Sequence, residues 1–240
     1  MKSISEGHGY NERLFSGGLR AFFHLARFRW FQSELQRRRI TPQRVLELGC
    51  FDAKVLRFLP KPPQRYVGFD ANWEGGLDLA RRTYADRPQF EFHEATSPAH
   101  LQLAPDDRFD VIVTMETLEH LPPQDLDAYL AKLAAHAGGW VFVTVPNEKG
   151  PLFLAKWLAK RLLTRDGEAY TGREVLYATL GQTHKVARDQ HKGFDYDVLI
   201  GQMRRHFDIV EVSGHPLSWL PTFLCFSVGI VAVPKSSTAS

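Results

Sequence analysis

Cysteine is scarce: the 240-residue chain has two, Cys50 and Cys225, with no Cys-x-x-Cys pair. That excludes a disulfide framework and fits a reduced, cytoplasmic setting. Excess charge of one sign is also missing. Lys and Arg number 30 and Asp and Glu 27, leaving a net charge of +3, too small by itself to argue for nucleic acid. After Met1 the residues Lys2, Ser3, Ser5, Glu6 and His8 leave no apolar core for a secretory signal. One uncharged stretch, the 18 residues from Pro216 to Val233, approaches the length of a membrane span. It contains Pro216, Ser218, Pro221 and Ser227 and is rich in β-branched and aromatic residues, so it reads as a loop followed by a buried strand. No internal repeat or low-complexity tract is visible.

What is present is an alternation. The stretches 44–48, 65–70, 89–94, 109–114, 139–145, 207–212 and 223–232 read as strands. Stretches at 52–59, 74–84, 124–136 and 195–205 read as helices between them. Alternating strand and helix predicts an α/β fold, a Rossmann-like sheet of seven strands, mostly parallel with an antiparallel last strand, helices on both faces. Before it, residues 1–12 form a polar arm, and Leu19, Phe22, Phe23, Ala26, Trp30 and Phe31 recur at helical spacing over 13–39. The organisation expected is an arm and amphipathic helix over 1–40, one domain over 41–234 and a disordered tail over 235–240. A helical insertion at 148–190 is expected as a lid.

Two motifs point to a nucleoside pocket. The run Arg44-Val-Leu-Glu-Leu-Gly-Cys-Phe-Asp-Ala-Lys54 is an apolar strand ending in a glycine turn, and Arg65-Tyr-Val-Gly-Phe-Asp70 is a second strand ending in a carboxylate. The turn lets backbone approach a ligand, and the acid accepts hydrogen bonds from ribose hydroxyls. Together with Phe109-Asp-Val-Ile-Val-Thr-Met-Glu-Thr-Leu-Glu-His-Leu121, Val143-Thr-Val-Pro-Asn147 and a closing hydrophobic hairpin, this ordered set resembles the class I S-adenosylmethionine-dependent methyltransferases. The resemblance covers 44–147 well and 191–233 loosely.

The resemblance implies S-adenosylmethionine as cofactor. Glu47 and Gly49 would sit at its methionine end, with Cys50 and Phe51 in the loop. Asp70 would hold the ribose diol, Ala71 and Asn72 would border the adenine, and Ala95 and Thr96 would face its rim. Thr114 and Met115 would line the floor. Two departures stand out. Phe51 and Ala53 replace the second and third glycines of the family's turn, so Phe51 must point away from the ligand or narrow the pocket. Thr96 stands where an acid commonly meets the adenine amino group.

Glu116, Glu119 and His120 follow the fourth strand at i, i+3 and i+4, which predicts one shared face of a helix start. With His191 they offer two carboxylates and two imidazoles, a set suited to Mn²⁺, Fe²⁺, Co²⁺ or Zn²⁺ more than to Mg²⁺. Glu-x-x-Glu-His is similar to the metal motif of the ubiquinone-pathway O-methyltransferases and of enzymes that methylate the 2′-OH at RNA 3′ ends. In the latter a later His completes the site, here His191 or, as the alternative, His184. Without a metal, the same Glu-His serves methyltransferases that hold none. His120 is then the first candidate base, His191 the second, and Asn147 a candidate hydrogen-bond partner of the acceptor.

Arg20–Arg39 and Lys156–Arg165 set basic residues beside aromatics. These segments allow a peripheral contact with the inner membrane face, a phosphate-bearing ligand, or plain packing with solvated basic faces. The acceptor expected is a hydroxylated small molecule, a glycan or a lipid-linked group. RNA 2′-O-methylation and a degenerate fold that only binds a partner stay open as alternatives.

Overall fold

The computed structural model of the protein describes residues 18–163, 170–189 and 191–235. The expected arm over 1–12 and all but Lys235 of the expected tail lie outside these residues. The described elements, in order, are α1 (Gly18–Arg37), β1 (Arg44–Leu48), β2 (Arg65–Asp70), α2 (Gly76–Thr83), β3 (Phe90–Glu94), β4 (Phe109–Met115) and α3 (Pro123–His136). They continue with β5 (Ala137–Pro146), α4 (Gly150–Leu163), α5 (Gly172–Thr179), α6 (Tyr196–Met203), β6 (Phe207–His215) and β7 (Ser227–Pro234).

The seven strands form one sheet in the order β3-β2-β1-β4-β5-β7-β6. β1 pairs in parallel with both β2 and β4, so the chain reverses its winding direction there. Ligands of such sheets bind at this switch point, beyond the carboxyl ends of the strands. β7 runs antiparallel to β5 and to β6. β6 is therefore parallel to β5, and the β6–β7 loop stands on the same crest as the ends of β1 and β4.

Strand pleating sorts the core into two layers. Val45, Val111, Val113 and Met115 face one side, where Phe28, Phe31 and Leu35 of α1 and Leu77 and Ala80 of α2 cover them. Leu46, Leu48 and Ile112 face the other, against Leu126, Leu130 and Leu133 of α3 and Leu199 and Met203 of α6. A smaller cluster of Phe153, Val175, Ala178 and Val186 joins α4 to α5.

Two local expectations change. Residues 52–59, expected as a helix, form only a 3₁₀ turn at Lys54–Phe58. The α1 segment packs its apolar stripe on the sheet, as one of the three readings of it expected, but Arg37 and Arg38 of its basic end are held by Glu34 and Glu211 rather than solvated.

α1 also crosses β6 and β7. Trp30 donates from Nε1 to Ser213 Oγ (3.0 Å) and stacks on His215, ring centroids 5.7 Å apart at 17°. His215 is buried, and neither ring nitrogen has a hydrogen-bond partner among the described residues. Burial, and then the charge of Arg27, lower its pKa from 6.5 to about 3. The unfolded chain thus takes up this proton first. Stability should be complete above pH 6.5 and fall as the pH drops towards 3, by about 1.4 kcal/mol per pH unit. His215→Phe keeps the stack and should remove this share of the slope, leaving that of other groups such as His120, whose pKa is also lowered. Urea midpoints of both proteins at pH 7 and pH 5 test this, and parallel pH dependence would refute it.

Candidate functional site

The loop after β1 has the backbone of a glycine turn with only the first of its three glycines. Gly49, Phe51 and Ala53 all have positive φ, at 78°, 47° and 55°. For Phe and Ala this conformation costs about 1 kcal/mol or more each. Hydrogen bonds hold it: Gly49 and Cys50 donate from their N–H groups to Phe69 O (2.7 and 3.1 Å), and Ala53 N–H donates to Cys50 O (2.7 Å). Asp70 holds it from the next strand. Its Oδ2 accepts from Phe51 N–H (2.9 Å) and its Oδ1 from Asn72 N–H (2.7 Å). Only glycine fits at 49, because a Cβ there would meet Thr117 Oγ1 at 2.0 Å. The Phe51 ring lies on Gly76 at the start of α2, where an added Cβ would meet its Cδ2 at 2.3 Å.

Above this loop lies a cavity of about 390 Å³, within the range of small-molecule sites. The ends of β1 and β2 give it Glu47, Asp70 and Ala71, and the loop gives it Gly49, Cys50 and Phe51. Ala95, Met115, Glu116, His120 and His191 complete the expected residues on its wall.

Several expected residues stand elsewhere. Thr114 is fully buried and, by the strand alternation, faces away from Met115 into the opposite layer. The side chain of Asn72 bonds Asp78 (3.2 Å), and Asn72 is absent from the cavity wall, which passes from Ala71 to Trp73. Thr96 lies in a neighbouring recess beside His100, to which its backbone N–H donates (3.2 Å). Asn147 is fully buried. Its amide donates to the carbonyls of Thr222, Phe223 and Cys225 (3.3, 3.2 and 3.0 Å), and its Oδ1 accepts from Lys149 N–H. It pins the β6–β7 loop to the end of β5 and has no donor left for an acceptor molecule. The structure therefore removes it from the catalytic candidates.

The cavity also has walls that motif reading missed. α1 brings Arg27 and Phe28 across the crest, and Trp73, Lys54 and Tyr129 close other sides. The Arg27 guanidinium lies 5.0 Å from the Phe28 ring centroid, and its buried Nε has no hydrogen-bond partner among the described residues. The signal for it was present in the helical stripe of α1, but nothing in the stripe says where the helix lands.

Electrostatics mark two spots. Glu47 is buried and accepts a hydrogen bond from the Tyr66 hydroxyl. Burial holds its carboxyl well above the usual range, against the opposing effect of Tyr66, and Asp52 and Asp70 push the same way. Lys54 is lowered to about 8, mainly by burial.

The second spot is the lip. Ligand atoms of Glu119, His120 and His191 all lie within 4.8 Å of one another, and the two imidazole centroids are 4.3 Å apart. Burial, followed by the neighbouring Glu116, raises the Glu119 carboxyl well above its usual range. Neither of its oxygens has a hydrogen-bond partner among the described residues. His120 is lowered to about 4 by desolvation, with His191 and Arg188 acting the same way, so it is neutral at pH 7. Arg188 donates to Glu119 O (2.6 Å) and ties the His191 segment to this turn. The expected helix start is absent: Glu116 takes a left-handed φ of 54°, Leu118–His120 is a 3₁₀ turn, and α3 begins at Pro123. Glu116 therefore lies outside the three-residue cluster. Its carboxyl is raised by burial, with Arg27 and a hydrogen bond from Ser227 opposing.

Residues 21–194, well over half of the chain, match the protein family described as a methyltransferase domain. A ubiquinone biosynthesis O-methyltransferase of Hydrogenovibrio crunogenus is 28% identical over 111 residues, which are 46% of this chain and 45% of that protein. The chain spans about half the length of the curated relatives it matches. Among solved structures, a S-adenosylmethionine-dependent methyltransferase from Clostridium acetobutylicum has a TM-score of 0.63 at 10% identity, over 95% of this chain and 96% of that one. The magnesium protoporphyrin IX methyltransferase of Synechocystis, solved with bound SAH, has 0.57 at 16% identity, over 93% and 92%. The solved structures speak for the fold, and the sequence match gives the family. The chain belongs to the methyltransferase-domain family, and its fold is that of S-adenosylmethionine-dependent methyltransferases.

Proposed function

We propose that this enzyme methylates a hydroxyl oxygen of a small, amphiphilic acceptor, a quinol-like ring or sugar on a lipid. The observation that carries this reading is the Glu119–His120–His191 cluster at the lip of the cavity. Relatives named ubiquinone biosynthesis O-methyltransferases support the oxygen as acceptor.

When bound, S-adenosylmethionine supplies the methyl group from a sulfonium centre. Asp70 has acceptor capacity left for the ribose diol after its two backbone bonds. The buried Glu47 carboxylate favours the cationic end of the cofactor, and Arg27 offers a guanidinium for its carboxylate. Met115 and Ala95 give apolar floor and rim.

The cluster fits a divalent cation. A buried carboxylate with both oxygens unbonded, beside a neutral imidazole, is costly unless protonated or matched by positive charge. Glu119, His120 and His191 would hold the ion, and its Lewis acidity would lower the pKa of an acceptor hydroxyl. Mixed oxygen and nitrogen donors favour Mn²⁺, Fe²⁺, Co²⁺ or Zn²⁺ over Mg²⁺. Without an ion, His120 has a lone pair at the lip to take the acceptor proton. α4 and α5, after the end of β5, act as the lid that excludes water.

Chelator treatment should lower methylation of a polyprenyl catechol, and Mn²⁺ should restore it. Calorimetric titration of Mn²⁺ should show one site in the wild type and none in Glu119→Gln. Full activity after chelation with no Mn²⁺ heat would leave the His120 base alone. Methyl transfer to an RNA 3′ end, and to neither a catechol nor a glycolipid, would overturn the acceptor class.

A further inference from the structure

The crest carries an apolar surface that the cofactor site does not use. Trp219 is 77% exposed and Leu162 84%. Around them Leu158 of α4 and Leu217, Phe223 and Leu224 of the β6–β7 loop are also exposed. These side chains belong to one assembly, because α4 packs on the turn Thr222–Leu224. A Cβ on Gly150, the first residue of α4, would lie 3.4 Å from Phe223 O.

The loop is held rather than loose. Asn147 donates to three of its carbonyls, and Cys225 is buried beneath it. Lys156 of α4 reaches Asn147 O (2.9 Å) and lies 4.8 Å from the Phe226 ring centroid. A fixed scaffold thus turns large apolar side chains outwards, where water would disfavour them.

The charge pattern of the same two segments has one sign. From Lys149 to Arg165 the sequence has Lys149, Lys156, Lys160, Arg161 and Arg165 and no carboxylate. Lys149 and Lys156 are paired with Asp195, Asp197 and Glu148, and Arg161 of α4 is exposed. After Glu211 the chain has no Asp or Glu at all. α1, the other basic segment, lacks this character, because its apolar stripe is buried and Arg37 and Arg38 are paired.

We propose that α4 and the β6–β7 loop dock on an anionic bilayer, which sets the cavity mouth facing the membrane. Aromatic and aliphatic side chains enter the interface while basic residues meet the headgroups. The surface shares the crest with the Glu119–His120–His191 lip, since β6 runs parallel to β4 and β5. A lipid-linked acceptor would then reach the site from the bilayer without leaving it. This deepens the lipid-linked reading above, on which its use to the enzyme rests.

The full chain, mixed with vesicles of phosphatidylcholine containing a quarter phosphatidylglycerol, should sediment with them, and less so at high salt. Pure phosphatidylcholine should retain far less. Leu162→Glu and Trp219→Glu should each weaken binding by about tenfold or more. Trp219→Phe should still bind but lose the tryptophan quenching that brominated lipids give the wild type. The proposal is overturned by absent binding to the anionic vesicles, or by equal binding of both glutamate variants. It is also overturned if the surface proves to be a self-interface, a dimer that the same two variants dissolve. S-adenosylhomocysteine affinity in the same samples should match wild type in every variant. Its absence in the wild type would undo the cofactor assignments and leave vesicle binding standing.

Discussion

Alanine at His120 is expected to lower methyl transfer by about a hundredfold or more, about 2.7 kcal/mol of barrier. The side chain stands at the lip, a third exposed, so its loss leaves the core intact. Glu47, Gly49 and Asp70 lie on other segments, and S-adenosylhomocysteine affinity should stay at its wild-type value. Two mechanisms give the same loss, and metal titration separates them. If His120 is the base, Mn²⁺ uptake is the same in the variant as in the wild type. If it is a ligand, Mn²⁺ uptake falls along with turnover, and His191→Ala behaves alike. Near-normal turnover with saturating acceptor would remove His120 from the mechanism.

The sheet was legible in the sequence because its central strands are apolar runs of strand length, while β3 and β6 at its edges alternate apolar with polar residues. Val111 to Val113 and Val141 to Val145 bury both faces, and such runs have few alternatives. Gly49 and Asp70 were legible because backbone approach and a carboxylate after the second strand are requirements of position, not of packing. Phe51 was legible only as a conflict. Its left-handed φ survives because Asp70 and Gly76, distant in sequence, hold the backbone and receive the ring.

What stayed hidden depends on where elements land. Arg27 could not be placed until α1 crossed the crest. Asn147 looked like a site residue because it follows β5, yet its three acceptors lie more than seventy residues away. The i, i+3, i+4 spacing of Glu116, Glu119 and His120 implied a helix that the left-handed turn at Glu116 prevents. The spacing therefore grouped residues that the backbone separates.

Asp70→Ala is expected to weaken S-adenosylhomocysteine binding by about 1–3 kcal/mol, the worth of hydrogen bonds to a charged group. The side chain has two duties that one substitution confounds. It accepts the N–H groups of Phe51 and Asn72, so its removal also frees a loop held at positive φ. A ribose contact and loop support make different demands on the ligand. If the diol is the partner, 2′-deoxy-S-adenosylhomocysteine should bind the wild type more weakly than the parent compound does. The same analogue should then lose less than the parent on going to Asp70→Ala, because the contact is already gone. If loop support is the whole effect, both compounds lose equally, and the ribose assignment fails even though affinity has fallen. Asp70→Asn refines the comparison: its oxygen can replace one acceptor, while its amide nitrogen cannot accept the other N–H and opposes it donor to donor. Melting of the ligand-free protein should therefore fall in Asn as well as Ala, while the difference between the two ligands reports on the sugar alone.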